Sequence, residues 1–160
     1  MSDRHIERTL AYRNQNPLNI RLAKTVKWQG QTGQEGGFVK FERFSYGYRA
    51  AVKILRSYHI RGIRSIRDII STWAPRSEND TESYIKNVVR IMNEVWRIDL
   101  DEGDYCAKTQ INLKDRDMVI SLLLAMTRIE TGANAAQAHR LKASAEAGYD
   151  LAVSSTGFFG

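Results

Sequence analysis

Residues 113–132, "LKDRDMVISLLLAMTRIETG", carry the most apolar helical pattern in this chain. Asp115 or Asp117 supplies an N-cap, because a short side-chain oxygen accepts a hydrogen bond from a free backbone N–H group of the first turn. Gly132 stands where a left-handed residue commonly ends a helix. The pattern predicts a buried, central helix, against which the rest of the chain has to pack.

Glu130 continues the apolar stripe of this helix, since it follows Met126 by four residues. In the last turn its carboxylate faces the negative end of the helix dipole, and both this setting and partial burial raise a carboxyl pKa. An acid that stays protonated near neutral pH is what glycosidic bond cleavage requires of its general acid. The alternative is a border position on the helix, where Glu130 pairs with a base such as Arg128 or Arg140.

The other segments with a helical spacing of apolar residues are residues 45–62, 65–74, 77–96 and 134–148. Two alternating runs, Val26 to Trp28 and Phe38 to Phe41, flank a Gly/Gln-rich connection and predict a β-hairpin with a long loop. The sequence therefore predicts a mainly α (α+β) fold with one small β-hairpin.

The length of 160 residues suits a single domain over residues 1–160. Within it, residues 1–12 are expected to form a polar arm, either as a short helix or as a loose segment. Residues 148–160 are expected to form a tail, whose Phe158 and Phe159 need a surface to cover them and suit docking on a partner.

The formal charge of +6 indicates attraction to polyanions such as nucleic acid, anionic lipid surfaces or bacterial envelope polymers. No nucleic-acid-binding motif and no phosphate-binding glycine loop accompanies this charge, so we expect no nucleotide cofactor and do not expect nucleic acid as the partner.

The chain lacks the run of about 18 apolar residues that a membrane span needs, and its N-terminus has no secretory signal pattern. The lone Cys106 and three scattered histidines predict no metal site.

Several residues outside the central helix suit a carbohydrate site, because aromatic faces pack on sugar rings and amides bond hydroxyl or acetamido groups. These candidates are Trp73, Tyr84, Asn14, Asn16 and Asn19. Three carboxylates precede a predicted helix, namely Glu78, Asp80 and Glu82. Asp80 and Glu82 suit helix capping, whereas Glu78 has no such role. Each candidate also has a structural interpretation, as a core, turn or cap residue.

Four motifs in a fixed order carry a resemblance to a known family. They are "NQNPLNIR" (14–21), "GGFVKFERFSYGYRA" (36–50), "WAPRSENDTESY" (73–84) and "IETG" (129–132). Together they resemble a family of bacteriophage and prophage virion-associated proteins with a lysozyme-like fold. The resemblance covers roughly residues 12–132. It departs from the family pattern at Gln15, Leu18 and Arg76, where that pattern has asparagine, glycine and proline.

The resemblance implies a lysozyme-like helical domain that acts on bacterial peptidoglycan as a glycan-strand hydrolase or lytic transglycosylase. Such a protein is made in the host cytoplasm, belongs to the virion and acts at the cell wall, with other virion proteins as further partners. Glu130 would be the general acid, and Glu78 or Asp80 would stabilise the oxocarbenium-like state or position water. The substrate-binding residues that the resemblance implies are Asn14, Asn16, Asn19, Arg21, Trp73, Asn79 and Tyr84.

A second hypothesis belongs to a different class of protein. The chain would then be a non-catalytic virion or assembly protein that uses a lysozyme-like scaffold as a binding module. The predicted docking tail with Phe158 and Phe159 favours this alternative.

Overall fold

The computed structural model of the chain describes residues 2–76, 80–95 and 104–160, and the structural statements below refer to these residues. Its helices are α1 (Asp3–Glu7), α2 (Leu10–Arg13), α3 (Phe44–Ile60), α4 (Ile66–Trp73), α5 (Thr81–Val95), α6 (Arg116–Thr131), α7 (Ala135–His139) and α8 (Lys142–Val153). The strands β1 (Gln31–Glu35) and β2 (Phe38–Phe41) form a two-stranded antiparallel sheet. The predicted class, mainly α with one small β-hairpin, is confirmed.

Helix α6 is the buried, central helix that the sequence predicts. The Asp115 side chain caps its start by accepting a hydrogen bond from Met118 N at 3.1 Å, and Gly132 ends it with a φ of +78°. Several large side chains of α6 are fully buried: Val119, Ile120, Leu122, Leu123 and Met126. Helices α5, α7 and α8 pack against it.

Helices α3 and α8 pack closely because a glycine lies at their contact. A Cβ atom added to Gly148 of α8 would lie 2.6 Å from both Ser45 O and Tyr48 Cβ of α3. The buried Tyr48 hydroxyl makes a 2.8 Å hydrogen bond with Thr127 Oγ1 of α6. These contacts join α3, α6 and α8 at the centre of the core.

The hairpin differs from its prediction in the position of the first strand. Strand β1 runs through the Gly/Gln-rich stretch, and residues 26–28 form a loop before it. Gly36 and Gly37 have φ values of +63° and +84°, as a two-residue hairpin turn requires, so Glu35 pairs directly with Phe38. The predicted long loop is wrong because these glycines make a tight turn.

The N-terminal segment is helical rather than a loose arm. It contains α1 and α2, and Ile6 is buried in a small apolar cluster with Ala133 and Ala138. Ser2 caps α1 by accepting a hydrogen bond from His5 N at 3.2 Å.

The C-terminal segment also differs from its prediction. The helix predicted over residues 134–148 is two helices, α7 and α8, and α8 continues to Val153. Phe158 is only 5% exposed because it packs on the core of its own chain, and Arg56 Nε donates a 2.5 Å hydrogen bond to its carbonyl oxygen. Phe159 alone keeps an exposed ring, at 49%. In the described part of the chain, no helix is both long and apolar enough to cross a membrane.

The contact between α3 and α8 gives a test of the fold. We expect Gly148→Ala to lower the free energy of unfolding by about 1–3 kcal/mol, because the new methyl group overlaps backbone atoms of α3. Gly33→Ala is the matched control, since a Cβ at Gly33 meets nothing within 4 Å. Urea unfolding of both variants measures the difference, and equal stability of the two would contradict the close packing.

Candidate functional site

A groove of about 390 Å³ opens at the C-terminal end of α6. It is lined by Asn19, Ile20, Arg21, Phe38, Ile54, Tyr58, Trp73, Ala74 and Glu130. These residues come from the turn after α2, from β2, from α3, from the end of α4 and from α6. Segments that are distant in sequence therefore meet at the carboxylate of Glu130.

The Glu130 carboxylate is half-buried and is held through both of its oxygen atoms. Tyr84 OH of α5 donates a hydrogen bond to Oε2 at 3.2 Å. Asn19 Nδ2 donates to Oε1 at 3.4 Å and to the Glu130 carbonyl oxygen at 3.2 Å. The carboxyl group consequently has a defined orientation at the groove.

Burial raises the pKa of the Glu130 carboxyl above its ordinary value. The hydrogen bonds from Tyr84 and Asn19 lower the pKa, as does the positive charge of Arg21, but these effects do not cancel the cost of burying the anion. A group in this position takes up a proton more readily than a surface glutamate. The sequence-based prediction of a raised pKa agrees with this environment.

Tyr84 does not line the groove but donates a hydrogen bond to Glu130, which does. Its side chain is buried, at 6% exposed. Burial, followed by the negative charge of Glu130, raises the pKa of the Tyr84 phenol well above its ordinary value, so the hydroxyl remains a donor. The direct substrate contact expected for Tyr84 is therefore corrected to a contact with Glu130.

The asparagine-rich turn after α2 contributes one of its three asparagines to the groove. Asn19 has a left-handed φ of +51°, a conformation that asparagine tolerates better than most residues. Asn14 and Asn16 are fully buried. Asn16 accepts a hydrogen bond from Ile20 N and donates to the Ile20 and Val39 carbonyls, each at 2.9 Å. The expectation that Asn14 and Asn16 contact substrate is wrong, because both are enclosed by the fold.

Trp73 and Arg21, two of the residues predicted to bind substrate, line the groove. The Trp73 ring meets the Tyr58 ring edge to face, with centroids 6.4 Å apart and planes at 78°. The Arg21 guanidinium lies 5.0 Å from the centroid of the Phe38 ring. The groove thus combines aromatic walls and a cation with the half-buried acid.

Of the other predicted carboxylates, Asp80 is described by the structure and is not among the lining residues. Asp80 is exposed, and its Oδ1 accepts a hydrogen bond from Ser83 N at 3.1 Å at the start of α5, the contact that an N-cap residue makes. Glu78 and Asn79 lie outside the described residues, so their proposed roles remain predictions.

Sequence reasoning missed five groove residues, namely Ile20, Phe38, Ile54, Tyr58 and Ala74. Tyr58 belongs to the apolar face of α3, and its spacing is the same as that of core residues. A helical pattern does not distinguish an aromatic ring that lines a groove from one that fills the core. The signal that was available, an aromatic residue in the last turn of an amphipathic helix, is too common to identify a site.

Fold and groove together define a mainly α protein with one oriented, half-buried acid at an aromatic cleft. No protein-family model matches the chain. The chain is 42% identical over 81 residues to Protein P5 of Pseudoalteromonas phage PM2. This match covers 48% of the present chain and 51% of the relative, so the chain spans about half the length of the curated relative that it matches. The similarity to a phage protein agrees with the phage part of the sequence resemblance, whereas the lysozyme-like fold stays a prediction.

The environment of Glu130 predicts how stability depends on pH. The pKa of Glu130 is higher in the folded protein than in the unfolded chain, so between these two pKa values the folded protein holds a proton that the unfolded chain has lost. Proton binding by Glu130 therefore stabilises the fold fully below the ordinary glutamate pKa. This stabilisation is lost as the pH rises through the pKa that Glu130 has in the folded protein. We expect Glu130→Gln to raise the free energy of unfolding at pH 7 by on the order of 1 kcal/mol, because the amide carries no charge to bury.

Urea unfolding between pH 4 and pH 8 measures this effect. Glu82→Gln is the matched control, because the ion-paired Glu82 has a lowered pKa and its replacement brings no such gain. A Glu130→Gln variant that is less stable than the native chain at pH 7 would contradict the role of burial.

Proposed function

We propose that this protein is a phage virion-associated enzyme that cleaves the glycan strands of peptidoglycan, as a hydrolase or a lytic transglycosylase, with Glu130 as the general acid. The observation that carries the proposal is the Glu130 carboxyl itself, which is half-buried at a groove, has a raised pKa and is oriented through both oxygen atoms. A general acid needs a proton near neutral pH and a fixed direction in which to deliver it.

In this mechanism, the protonated Glu130 donates its proton to the glycosidic oxygen as the bond to the anomeric carbon breaks. Water, or a hydroxyl group of the sugar itself, then attacks the oxocarbenium-like carbon. Glu130, now deprotonated, accepts the proton of that nucleophile and returns to its starting state. Tyr84 and Asn19 keep the carboxyl aimed at the groove during both transfers.

The groove walls support a sugar substrate. Trp73 and Tyr58 provide aromatic surface on which the apolar face of a pyranose ring packs. Arg21 supplies a positive charge suited to the carboxylates that accompany peptidoglycan glycans. Phe38 contacts the Arg21 guanidinium and so limits its orientation.

A second carboxylate is part of the proposal only for a hydrolase. Glu78 and Asp80 remain the candidates to stabilise the oxocarbenium-like state or to position water. For Asp80, this role would have to coexist with capping of α5. A lytic transglycosylase manages without the second group, since the sugar supplies its own nucleophile.

The phage setting is supported by the similarity to Protein P5 of a phage. The formal charge of +6 supports an anionic target such as the bacterial envelope. Peptidoglycan is accordingly the proposed substrate, and other virion proteins are proposed partners.

Replacing the acid tests the proposal directly. We expect Glu130→Gln to lower the rate of glycan cleavage in purified peptidoglycan by on the order of 10²–10⁴-fold, the usual contribution of a positioned general acid. Glu94→Gln is the matched control, because Glu94 is an exposed carboxylate that pairs with Arg90 on α5. Release of soluble muropeptides and of new reducing ends measures cleavage.

Undiminished cleavage by Glu130→Gln would remove Glu130 from the mechanism. No cleavage by the native chain on several wall types, together with equal retention of the native chain and Glu130→Gln on insoluble peptidoglycan, would instead favour the non-catalytic binding module.

The hydrogen bond from Tyr84 predicts a change in the pH–rate profile. This bond favours the charged form of Glu130, so Tyr84→Phe raises the pKa of Glu130 further. Because the acid has to be protonated, the alkaline limb of the profile is expected to move to higher pH. Tyr149→Phe is the control, since Tyr149 donates its hydrogen bond to Leu113 O. A shift to lower pH in Tyr84→Phe would contradict the assignment of Glu130 as the acid.

A further inference from the structure

Helix α3 carries a face of basic residues that is separate from the groove. Arg49, Lys53 and Arg56 follow one another at steps of four and three residues and so lie on one side of the helix. In the described part of the chain, none of the three forms an ion pair with a carboxylate. Arg56 is engaged instead by the carbonyl oxygens of Gly157 and Phe158.

The electrostatics of Lys53 agree with an unneutralised face. Burial lowers the pKa of the Lys53 ammonium, and repulsion from Arg49 and Arg56 lowers it further. The Nε atom of Arg49 is buried without a hydrogen-bond partner in the structure. Among the described residues no carboxylate pairs with these cations, so an anion placed here would relieve their repulsion.

The loop before β1 brings Val26, Lys27 and Trp28 beside Arg49 and Lys53, and Leu22 and Lys24 come earlier in the same loop. Residues 22–29 read "LAKTVKWQ", and within them Leu22 is 43% exposed and Val26 is 38% exposed. Lys24 and Lys27 alternate with these apolar residues and are exposed. Trp28, between them and α3, is partly exposed.

The loop and the helix enclose a shallow depression of about 540 Å³ lined by Val26, Lys27, Trp28, Gln29, Arg49 and Lys53. We call this surface, extended by the exposed loop residues Leu22 and Lys24 that precede it in the chain, the basic-apolar face. Its composition is that of an interfacial membrane-binding surface, in which lysines meet headgroups, apolar side chains enter the acyl boundary, and tryptophan lies between them.

We propose that the basic-apolar face binds the surface of a membrane that contains anionic phospholipids. Each lysine or arginine near such a surface contributes about 1 kcal/mol, so four cations with two apolar side chains suffice for reversible peripheral binding. The exposed Leu22 and Val26 favour a lipid surface over a nucleic acid, because a phosphate backbone offers nothing that would cover them.

Membrane binding through this face leaves the groove accessible. At about 100° per residue, Ile54 and Tyr58, which line the groove, lie on the other side of α3 from Arg49 and Lys53. The two surfaces therefore act independently, and the membrane proposal does not depend on catalysis at Glu130.

Sedimentation with vesicles tests the proposal on the full chain. We expect binding to phosphatidylcholine vesicles that contain phosphatidylglycerol to be at least about tenfold tighter than binding to phosphatidylcholine alone. The double variant Lys24→Glu with Lys27→Glu is expected to lose about tenfold or more of this affinity. The control, Lys86→Glu with Lys108→Glu, changes the charge equally at exposed lysines outside the face and is expected to lose much less.

Two further measurements separate a lipid surface from a simple charge effect. Tryptophan emission of the native chain is expected to shift to shorter wavelength on binding, and this shift disappears in Trp28→Phe but persists in Trp73→Phe. Leu22→Ser with Val26→Ser, which changes no charge, is expected to weaken binding at low and high salt alike.

Three results would overturn the proposal. They are no preference for anionic vesicles, equal losses in the two double-lysine variants, and salt-sensitive binding of double-stranded DNA through Lys24 and Lys27 without vesicle binding. Cleavage is measured separately, on purified peptidoglycan that contains no lipid. A failure of membrane binding is therefore distinguishable from a failure of the proposed enzymatic function.

Discussion

The burial of α6 is the constraint on which the other elements depend. Its large apolar side chains are removed from water only because α5, α7 and α8 pack over them. The buried hydrogen bond between Tyr48 and Thr127 sets the position of α3 relative to this helix, and Gly148 then lets α8 approach α3. With the body of α6 held in this way, its last turn brings Glu130 to a fixed place at the groove.

The surroundings of Glu130 lower the stability of the folded chain and also shift the pKa of this carboxyl group. Burial of a carboxylate destabilises the folded chain once the group is ionised, and the hydrogen bonds from Tyr84 and Asn19 recover only part of that cost. Such groups persist in proteins chiefly where a shifted pKa and a fixed direction are needed. The same property that makes Glu130 unfavourable for stability therefore suits the role of general acid that we propose for it.

Helix α3 links the two surfaces to which we assign roles. Its Ile54 and Tyr58 side chains line the groove, while Arg49 and Lys53 contribute to the basic-apolar face on its other side. Because one rigid helix carries both, a protein held at an anionic surface keeps its groove in a constant orientation. If both proposals hold, attachment and cleavage use separate residues of one small fold.

Local features of the sequence were enough to predict α6, with Asp115 at its start and Gly132 at its end, and to place Glu130 on the apolar stripe. They failed for the first strand, because the tight turn at Gly36 and Gly37 looks like part of a loop until the partner strand is known.

The asparagine-rich turn shows what the sequence could not predict about the site. Its three asparagines are Asn14, Asn16 and Asn19. The three amides look equivalent in the sequence, yet two are enclosed by the fold and one reaches the groove. Periodicity and capping depend on contacts within a few residues, so the chain's order of amino acids determines them. Packing between segments far apart in sequence determines which polar side chain reaches solvent. The same packing brings the Tyr84 hydroxyl to Glu130. Only the tertiary structure decided these two features.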